Sequence, residues 1–405
     1  MEKSRKKLPA GWEMKTLGEV CELINRGISP RYIESGGLRV FNQKCIRDHK
    51  VNMELGRYHD NLTKIVPEER YIKYGDVLVN STGTGTLGRV AQVLFDSNAT
   101  VDSHVTIVRP KPNLFVLPYF GYGMIAIEEE IAQRGQGCGG QIELSRDDLK
   151  KTFYLSYPQS HYEQQRIVAK LDEAFAEIAT AKANIERNLQ NCKEVFQCEL
   201  NAMFANKGKD WKEEKLSKIC EVKDGTHDSP KYILKGIPFI TQKNIKEDGL
   251  NFDNIKYINQ IDHDKFYKRS NVTFGDILIS MIGANRGMAC IVDSNEIFSI
   301  KNVGLIKASK NINSHYLLYY LKSNKSISFI KSFSKGGAQE FIGLTELRNF
   351  PIITTSQEIQ KNIVSRLDKL YFESKQLEQA YQQKLSSLEE LKKSILQKAF
   401  SGELK

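Results

Sequence analysis

Apolar side chains recur at alternating spacings of three and four residues along two long stretches of the chain, 164–204 and 360–400. In the second stretch the recurring positions hold Leu367, Leu370, Ser374, Leu377, Tyr381, Lys384, Leu388, Leu391 and Ile395. In the first they hold Leu171, Ala174, Ile178, Ala181, Ile185, Asn188, Cys192, Val195 and Glu199. This spacing is typical of a coiled coil, and each stretch is predicted to form a helix of about 60 Å at ~1.5 Å per residue. Two equal helices in one chain are expected to pack antiparallel.

The two helical stretches belong to a long internal repeat. Gln164–Phe204 aligns with Gln360–Phe400 without a gap. Upstream landmarks recur in the same order: the tryptophan segments at 12–21 and 211–220, the Ser-Pro-Arg/Lys-Tyr-Ile segments at 29–33 and 229–233, and the Gly-Asp-Val/Ile-Leu segments at 75–79 and 275–279. The residues between these landmarks diverge. The repeat therefore predicts four parts: a domain at 1–160, a helix at 161–206, a second domain at 207–355 and a second helix at 356–405.

The two domains are predicted to mix strands and helices. Short β-branched runs at 76–79, 101–108 and 276–280 indicate strands separated by glycine-rich turns. The segments 113–132 and 312–332 are predicted to be helices, the second with an Asn/Ser cap region. The fold class that follows is α/β (mixed α+β), with two globular domains, two long helices and a pseudo-two-fold internal repeat.

Composition narrows the class of protein without deciding its function. The net charge of +10 is compatible with a polyanionic partner such as nucleic acid, but many basic proteins bind none. Seven cysteines without a CxxC pair indicate reduced thiols and no structural zinc site. The charged N-terminal residues do not resemble a signal peptide, and no apolar run is long enough to span a membrane. We expect a cytoplasmic protein without membrane partners.

The sequence motifs that could indicate catalysis are incomplete or absent. Gly83, Gly85 and Gly88 satisfy GxGxxG, but an alternating strand pattern follows where a dinucleotide fold needs a helix, so we predict a hairpin turn. Arg89-Val90 stands where a P-loop needs Lys-Ser/Thr. A second GxGxxG at 135–140 has no strand before it. The histidines form no HExxH, and there is neither a GxSxG elbow nor an adenine-methyltransferase tetrapeptide, so we expect no enzyme activity and no metal site in this chain.

These landmarks occur twice in the same order, and in this order the chain resembles the specificity subunits of Type I restriction–modification systems over nearly its whole length. The residues that carry the resemblance in the first half are Trp12, Leu17-Gly18-Glu19-Val20, Gly75-Asp76-Val77-Leu78, Gly139-Gly140-Gln141-Ile142, Leu144-Ser145, Tyr157-Pro158, Glu163-Gln164-Gln165-Arg166-Ile167-Val168 and Leu171-Asp172. Those in the second half are Gly336-Gly337-Ala338-Gln339, Leu344-Thr345, Pro351, Gln360 and Leu367-Asp368. No single motif is specific, but their order is. The second half departs from the pattern at Ser217, where the first has Gly18.

The resemblance implies a function and a set of partners. In this family two target-recognition domains, joined by two conserved helices packed as an antiparallel coiled coil, read an asymmetric bipartite sequence in double-stranded DNA. Such subunits hold two modification (N6-adenine methyltransferase) subunits and recruit restriction subunits with motor and nuclease activity. S-adenosylmethionine, ATP and Mg²⁺ would be used by these partners, and no cofactor is expected in this chain.

The candidate DNA contacts are polar residues in the loops that vary between the landmarks. Major-groove edges are read by Arg or Lys at guanine and by Asn or Gln at adenine. In the first domain the candidates are Arg26, Arg31, Tyr32, Gln43, Lys44, Ser81, Thr82, Thr84, Arg89, Arg134 and Gln136. In the second domain they are Lys223, Thr226, His227, Lys231, Tyr232, Gln242, Lys243, Asn244, Asn285, Arg286 and Lys335. Because Ser-Pro-Arg/Lys-Tyr recurs in both domains, it is expected to contact phosphate or support the fold rather than select bases.

Two other functions stay open at this point. The chain could be the specificity part of a Type IIG-like system, although the missing methyltransferase tetrapeptide argues against catalysis here. It could also be a structural coiled-coil scaffold without a DNA role, although the basic charge and the loop-rich variable domains argue against that.

Overall fold

The computed structural model describes residues 8–135, 142–205, 208–283, 285–332 and 341–404. Its chain forms two compact units. The first unit comprises Met1–Ile185 with Gln383–Lys405, and the second comprises Glu186–Gln382. Each unit therefore contains one variable segment together with a part of each long helix.

The first variable segment is a mixed α/β domain followed by a long helix. Its elements are β1 (Trp12–Thr16), α1 (Leu17–Val20), β2 (Cys21–Arg26), β3 (Tyr32–Ile33), β4 (Leu38–Phe41), β5 (Ile46–Arg47), β6 (Lys50–Val51), β7 (Arg57–His59), β8 (Val77–Asn80), β9 (Val90–Gln92), β10 (Ala99–Val101), β11 (Val105–Pro110), α2 (Leu117–Ala126), α3 (Glu128–Gln133), α4 (Arg146–Thr152), β12 (Tyr154–Pro158) and α5 (His161–Ala205). Two 3₁₀ turns, Gln43–Cys45 and Glu68–Arg70, lie between strands.

Two four-stranded sheets form the body of the first unit, in the orders β2-β11-β8-β9 and β10-β4-β7-β3. The four residues of β8 are all buried, as expected for a central strand with both faces covered. β1 pairs with β12 in an antiparallel arrangement, which brings the start of the domain against its end just before α5.

The second variable segment repeats this architecture. Its elements are β13 (Lys212–Lys215), α6 (Leu216–Ile219), β14 (Val222–Asp224), β15 (Ile237–Thr241), β16 (Ile245–Lys246), β17 (Gly249–Leu250), β18 (Lys256–Ile258), α7 (Gln260–Ser270), β19 (Ile277–Ser280), β20 (Ala289–Ile291), β21 (Ser299–Lys301), β22 (Val303–Ile306), α8 (Ser314–Lys322), α9 (Asn324–Ser332), α10 (Leu344–Arg348), β23 (Pro351–Thr354) and α11 (Gln357–Ser401). A 3₁₀ turn, Gln242–Asn244, follows β15.

The sheets of the second unit have the orders β14-β22-β19-β20 and β18-β15-β21. The first of these matches its counterpart in full, and the second lacks an equivalent of β3, in whose place Ile233 forms an isolated bridge with Tyr257. The mixed fold class and the repeat predicted from the sequence are thus confirmed. The second unit also gains a helix: α7 occupies Gln260–Ser270, whereas the first unit has the short 3₁₀ turn Glu68–Arg70 in the corresponding stretch. Despite Ser217, α6 forms the same single helical turn as α1.

Several predicted elements are divided in the structure. The helix predicted at 113–132 is two helices, because Ile127 leaves helical geometry between α2 and α3. The helix predicted at 312–332 is broken at Ser323, which has extended backbone angles. Its predicted cap is present, since the Asn313 side chain accepts hydrogen bonds from two backbone N–H groups of α8. The strand predicted at 101–108 is β10 and β11, separated by a turn in which Asp102 accepts from the His104 backbone.

The two long helices are present and run in opposite directions within each unit. In the first unit Arg166 of α5 donates to the Leu404 carbonyl, and Lys182, further along α5, pairs with Glu389 at 2.9 Å. In the second unit Arg366 of α11 pairs with Glu199 of α5 at 2.5 Å, and the later Ser374 hydroxyl donates to the earlier Cys192 carbonyl at 3.2 Å. The supercoiled heptad geometry stays a prediction. None of the described helices is long and apolar enough to cross a membrane.

A buried glutamine at the start of each long helix ties it to the domain that precedes it. The Gln164 amide accepts from the Val116 N–H at 2.7 Å and donates to the Leu114 and Pro158 carbonyls. Gln360 makes the matching contacts with the Asn313 N–H and the Thr355 carbonyl, both at 2.8 Å. The repeated glutamine of the sequence is therefore a structural residue that fixes where each helix leaves its domain.

Candidate nucleic-acid interface

An open cleft of about 490 Å³ in the second unit brings four of the candidates together. These four are Tyr232, Gln242, Lys243 and Asn244. The cleft is basic: its other charged lining residues are Lys246, Lys256, Lys301 and a single carboxylate, Asp253. An excess of lysine over acid, next to amide side chains, suits a polyanion whose base edges offer hydrogen-bond donors and acceptors.

A short 3₁₀ turn presents the Gln-Lys pair in each unit. In the first unit the Asn42 side chain caps the turn by accepting from the Lys44 N–H at 2.9 Å, and in the second Thr241 accepts from Lys243 in the same way. Both lysine side chains are exposed as a result. Gln43 and Gln242 are half-buried beside them and accept hydrogen bonds from Thr82 and Ser280, respectively. Caps and hydroxyl contacts therefore orient the two pairs before any ligand arrives.

The tyrosines of the repeated Ser-Pro-Arg/Lys-Tyr segment each lie under a cation. The Arg57 guanidinium carbon is 3.5 Å from the centroid of the Tyr32 ring, and the Lys256 Nζ is 4.3 Å from that of Tyr232. Such contacts contribute about 0.5–1 kcal/mol at exposed positions. Burial raises the pKa of the Tyr32 hydroxyl, so the ring stays neutral under the cation. In the first unit Tyr32 and Arg57 line a smaller cleft of about 360 Å³, together with Glu34 and Tyr58.

The glycine-rich segment after β8 is a hairpin turn, as predicted, because β8 and β9 pair in antiparallel register. Gly88 has a φ of +88°, and a Cβ there would lie 2.6 Å from the Ala132 Cα, so only glycine suits the turn. Thr84 is exposed in this turn, and Arg89 donates to the Gly85 carbonyl at 2.8 Å. Thr82 bonds to His104 at 2.7 Å. In the matching turn of the second unit, Asn285 is exposed and Arg286 is partly exposed.

Five further candidates with basic or imidazole side chains are held by neighbouring groups. Arg26 pairs with Glu143 at 2.5 Å and donates to the Leu144 carbonyl. Arg31 donates to Thr63 at 3.3 Å, and its backbone N–H is held by the buried His59. The remaining contacts of this kind join Arg134 to Asp148 at 3.8 Å, Lys223 to Glu221 at 3.2 Å, and His227 to Asp224 at 3.1 Å and Asn302 at 2.7 Å. Lys231 is exposed. The contacts of the other five candidates hold their side chains against neighbouring parts of their own domain.

Three candidates are buried in the structure. Ser81 is 1% exposed and its hydroxyl bonds to Thr106. Thr226 is 5% exposed and caps the following turn by accepting from the Asp228 N–H. Asn244 is 9% exposed, with its oxygen bonded to Thr241 and its nitrogen to the Asn251 carbonyl. Their polar atoms are already hydrogen-bonded within the domain.

Part of the sequence-based set lies outside the described residues. This applies to Gln136, Lys335, the Gly-Gly-Gln landmark at 139–141 and its counterpart at 336–339, and the second GxGxxG motif beyond Gly135.

The candidates predicted from the sequence did not include four cations that line the clefts, namely Arg57, Lys246, Lys256 and Lys301. A signal for two of them was present, because Arg57-Tyr58 and Lys256-Tyr257 follow the two Ser-Pro-Arg/Lys-Tyr segments at nearly the same distance. Within the described ranges, no group of three His, Cys, Asp or Glu side chains is placed to hold a metal ion. The chemistry that the clefts offer is hydrogen bonding and charge.

Comparison with known proteins assigns the domains to one family. The model of the Type I restriction modification DNA specificity domain matches the chain twice, at residues 9–190 and 208–387. The specificity subunit of the Type I restriction enzyme EcoBI from Escherichia coli is 26% identical over 269 residues, which are 60% of this chain and 56% of that protein. The EcoKI specificity subunit from Escherichia coli strain K12 is 22% identical over 436 residues, covering 98% and 90% of the two chains. The chain thus spans little more than half of the first of these relatives and most of the second.

Solved structures share the fold. A chain from a study of complex assembly and conformational transition in the type I R-M system aligns with a TM-score of 0.77 at 20% identity, covering 98% of this chain and all of that one. The HsdS subunit from Thermoanaerobacter tengcongensis aligns over the full length of both chains, with a TM-score of 0.57 at 21% identity. The doubled match to the family model, on two units whose central four-stranded sheets have the same strand order, shows that this chain belongs to the family of Type I restriction–modification DNA specificity subunits.

Proposed function

We propose that this chain is the non-catalytic subunit that reads an asymmetric, bipartite sequence in double-stranded DNA, one half with each unit. The observation that carries the proposal is the capped Gln-Lys turn, which occurs at equivalent places in both units. Arg, Lys, Asn and Gln side chains are the ones that discriminate base edges in the major groove. The same capped turn, surrounded by different residues in each unit, would read two different half-sites.

The residues around the capped turn differ between the two units, and this difference would allow each unit to select different bases. In the second unit, Lys243 shares its cleft with Lys246 and Lys301. In the first unit, the amide oxygen of Gln43 accepts from Thr82, which also bonds to His104. A target read by two unlike surfaces is asymmetric, and a gap that is not read separates its halves. The length of the helices α5 and α11 is expected to set this gap.

Catalysis is assigned to partners. We propose that two modification subunits carry S-adenosylmethionine and methylate one adenine in each half-site, and that restriction subunits carry the ATP- and Mg²⁺-dependent motor and nuclease. Methylation of an adenine within a duplex requires that the base be turned out of the stack. The role of this chain is to place the partners at the site, in the cytoplasm of its host.

Single-molecule methylome sequencing tests this function directly. The full chain is expressed with its partner methyltransferase subunit, in a host that lacks its own adenine methylation. We expect N6-methyladenine at one split, non-palindromic motif, and none when either protein is expressed alone.

Each other outcome contradicts the proposal in a distinct way. A continuous or palindromic motif would exclude two units reading unlike half-sites. Methylation by the chain without its partner would mean that the chain is itself catalytic, as in a Type IIG-like system. No new methylation by a complex that assembles normally would favour a structural scaffold without a DNA role.

A further inference from the structure

Each unit carries an exposed cation in the same place, against the tyrosine of its repeated Ser-Pro-Arg/Lys-Tyr segment. These are Arg57 over Tyr32 in the first unit and Lys256 over Tyr232 in the second. Both cations are exposed, at the first positions of β7 and β18. Neither side chain forms an ion pair with a described carboxylate.

The strand register places the two pairs identically. Ile33 pairs with Tyr58 in the first unit, and Ile233 forms a bridge with Tyr257 in the second. In each unit the paired isoleucine directly follows the tyrosine of the cation–ring contact, and the residue paired with that isoleucine directly follows the cation. The fold therefore maintains the same cation–ring contact in two domains whose other loop residues have diverged.

The surroundings of Lys256 suit a polyanion, and those of Arg57 leave its charge exposed beside a single carboxylate. Lys256 lines the basic cleft of the second unit with Gln242 and Lys243. Arg57 lines the cleft of the first unit, where Glu34 is the one carboxylate in the lining. An aromatic face orients a cation without neutralising it, so its N–H groups stay available to an anion. By contrast, exposed basic residues elsewhere in the units, such as Lys151 and Lys325, already pair with carboxylates.

We propose that Arg57 and Lys256 bind backbone phosphates of the DNA at equivalent points in the two units, and that Tyr32 and Tyr232 are positioning residues for them. This inference rests on the proposed DNA-reading function. The two domains must differ where they read different bases, whereas contacts to the uniform sugar–phosphate backbone can be the same in both. Arg57 and Lys256 share their charge and register but not their side chain. A phosphate requires only the charge, whereas the amide side chains of the repeated Gln-Lys turns can distinguish base edges, so the two cations are assigned to backbone binding and not to base selection.

The test measures duplex binding by the full chain assembled with its methyltransferase subunit. One duplex carries the split motif found by methylome sequencing, and a second of equal length lacks it. Affinities are measured over a range of salt concentrations for the wild type, Arg57→Ala, Arg57→Gln, Lys256→Ala, Tyr32→Leu and Tyr32→Phe. Lys151→Ala and Lys325→Ala are the matched controls, since they remove exposed charges that are already paired.

The loss of one phosphate contact has a defined signature. Each cation variant is expected to weaken binding to both duplexes by the same factor, and to make the slope of log K against log salt shallower by about 0.9. Tyr32→Leu weakens binding in the same uniform way, and Tyr32→Phe, which keeps the ring, restores most of that loss. The controls keep the wild-type slope, and the methylated motif is unchanged in every variant.

A neutral methylphosphonate scanned along the duplex locates the contact. At one position the substitution should weaken wild-type binding and leave Arg57→Ala unaffected. A changed motif, or weaker binding to the specific duplex alone, would mean that the cation selects bases and would overturn the inference. An unchanged salt slope in folded Arg57→Ala and Arg57→Gln complexes would also overturn it. Failure of the proposed function would give a different result from failure of this inference, because the wild-type complex would then show no preference for the split-motif duplex.

Discussion

At the scale of single residues, the aspartates of the two Gly-Asp landmarks serve the fold. Asp76 is 1% exposed and accepts two hydrogen bonds of 2.8 Å from the guanidinium of Arg109. The matching Asp276 is fully buried and pairs with Lys307 at 2.6 Å. A buried charge is tolerated only when it is paired, so each landmark marks an ion pair at the end of a central strand.

Asp76→Asn should therefore destabilise the protein strongly. It keeps the shape of the side chain but leaves the Arg109 charge buried without its counter-ion, which costs about 3–5 kcal/mol. Arg109→Lys, which copies the cation of the second unit, should cost clearly less. Chemical denaturation of the purified chain measures both changes. Equal losses for the two variants would show that the geometry of the guanidinium, and not the charge, matters here.

Glu13 gives a prediction about pH. Its carboxylate receives hydrogen bonds from Lys15, Tyr157 and Gln159, and these contacts, that from Lys15 above all, lower its pKa from 4.5 to about 2. Because the pKa is depressed in the folded state, the stabilisation is complete above about pH 4.5 and is lost as the pH falls towards 2. Glu13→Gln should lower stability near neutral pH, and the difference from wild type should shrink over that window. Glu22→Gln, at an exposed position of β2, is the control. A difference that stays constant down to pH 2 would contradict this account of the β1–β12 contact.

At the scale of elements, the glutamines at the start of α5 and α11 determine how each helix leaves its domain. Gln164→Leu would leave the Val116 N–H and the Leu114 and Pro158 carbonyls without their partner. Buried groups left in this way should lower the free energy of unfolding by about 2–4 kcal/mol. Gln165→Leu, at the exposed neighbouring position, should change it by less than about 0.5 kcal/mol. Similar denaturation midpoints for the two variants would remove Gln164 from this role.

The elements also show what the sequence could and could not predict. The long helices were predictable because their apolar spacing persists over many turns, and β8 and β19 because their β-branched runs are short and follow a Gly-Asp turn. The breaks at Ile127 and Ser323 were missed, because neither position holds a glycine or proline that would mark a boundary, although polar residues follow each of them at Glu128–Glu130 and Asn324-Lys325. The polar helix α7 was also missed, although Asn259 caps its start and Asn271 ends it in the left-handed conformation.

The candidate site was predictable only in part, for a related reason. The Gln-Lys turns stood out because they recur beside a landmark. Loop polarity does not reveal burial, so Ser81, with its hydroxyl bonded to Thr106, could not be told from an exposed serine. The contact of Arg57 with Tyr32 joins residues on different strands, and only the paired β3 and β7 bring them together.

At the scale of the whole molecule, duplication explains the organisation of the chain. The buried Gly-Asp ion pair and the glutamine that holds the helix are shared features that build a domain, and the capped Gln-Lys turn is the shared element of the candidate interface. The features that differ, including α7 and the composition of the clefts, lie around the candidate interface. This division is what a protein needs if it reads two unlike half-sites with one architecture.

The central claim is that each unit reads its own half of the target, and methylome sequencing of unit-specific variants tests it most directly. The wild-type chain, a Gln43→Ala/Lys44→Ala variant and a Gln242→Ala/Lys243→Ala variant are each expressed with the partner methyltransferase. We predict that each variant relaxes base preference in one half of the split motif, that the two variants affect opposite halves, and that the gap keeps its length. Relaxation of the same half by both variants, or of both halves by either one, would contradict the account.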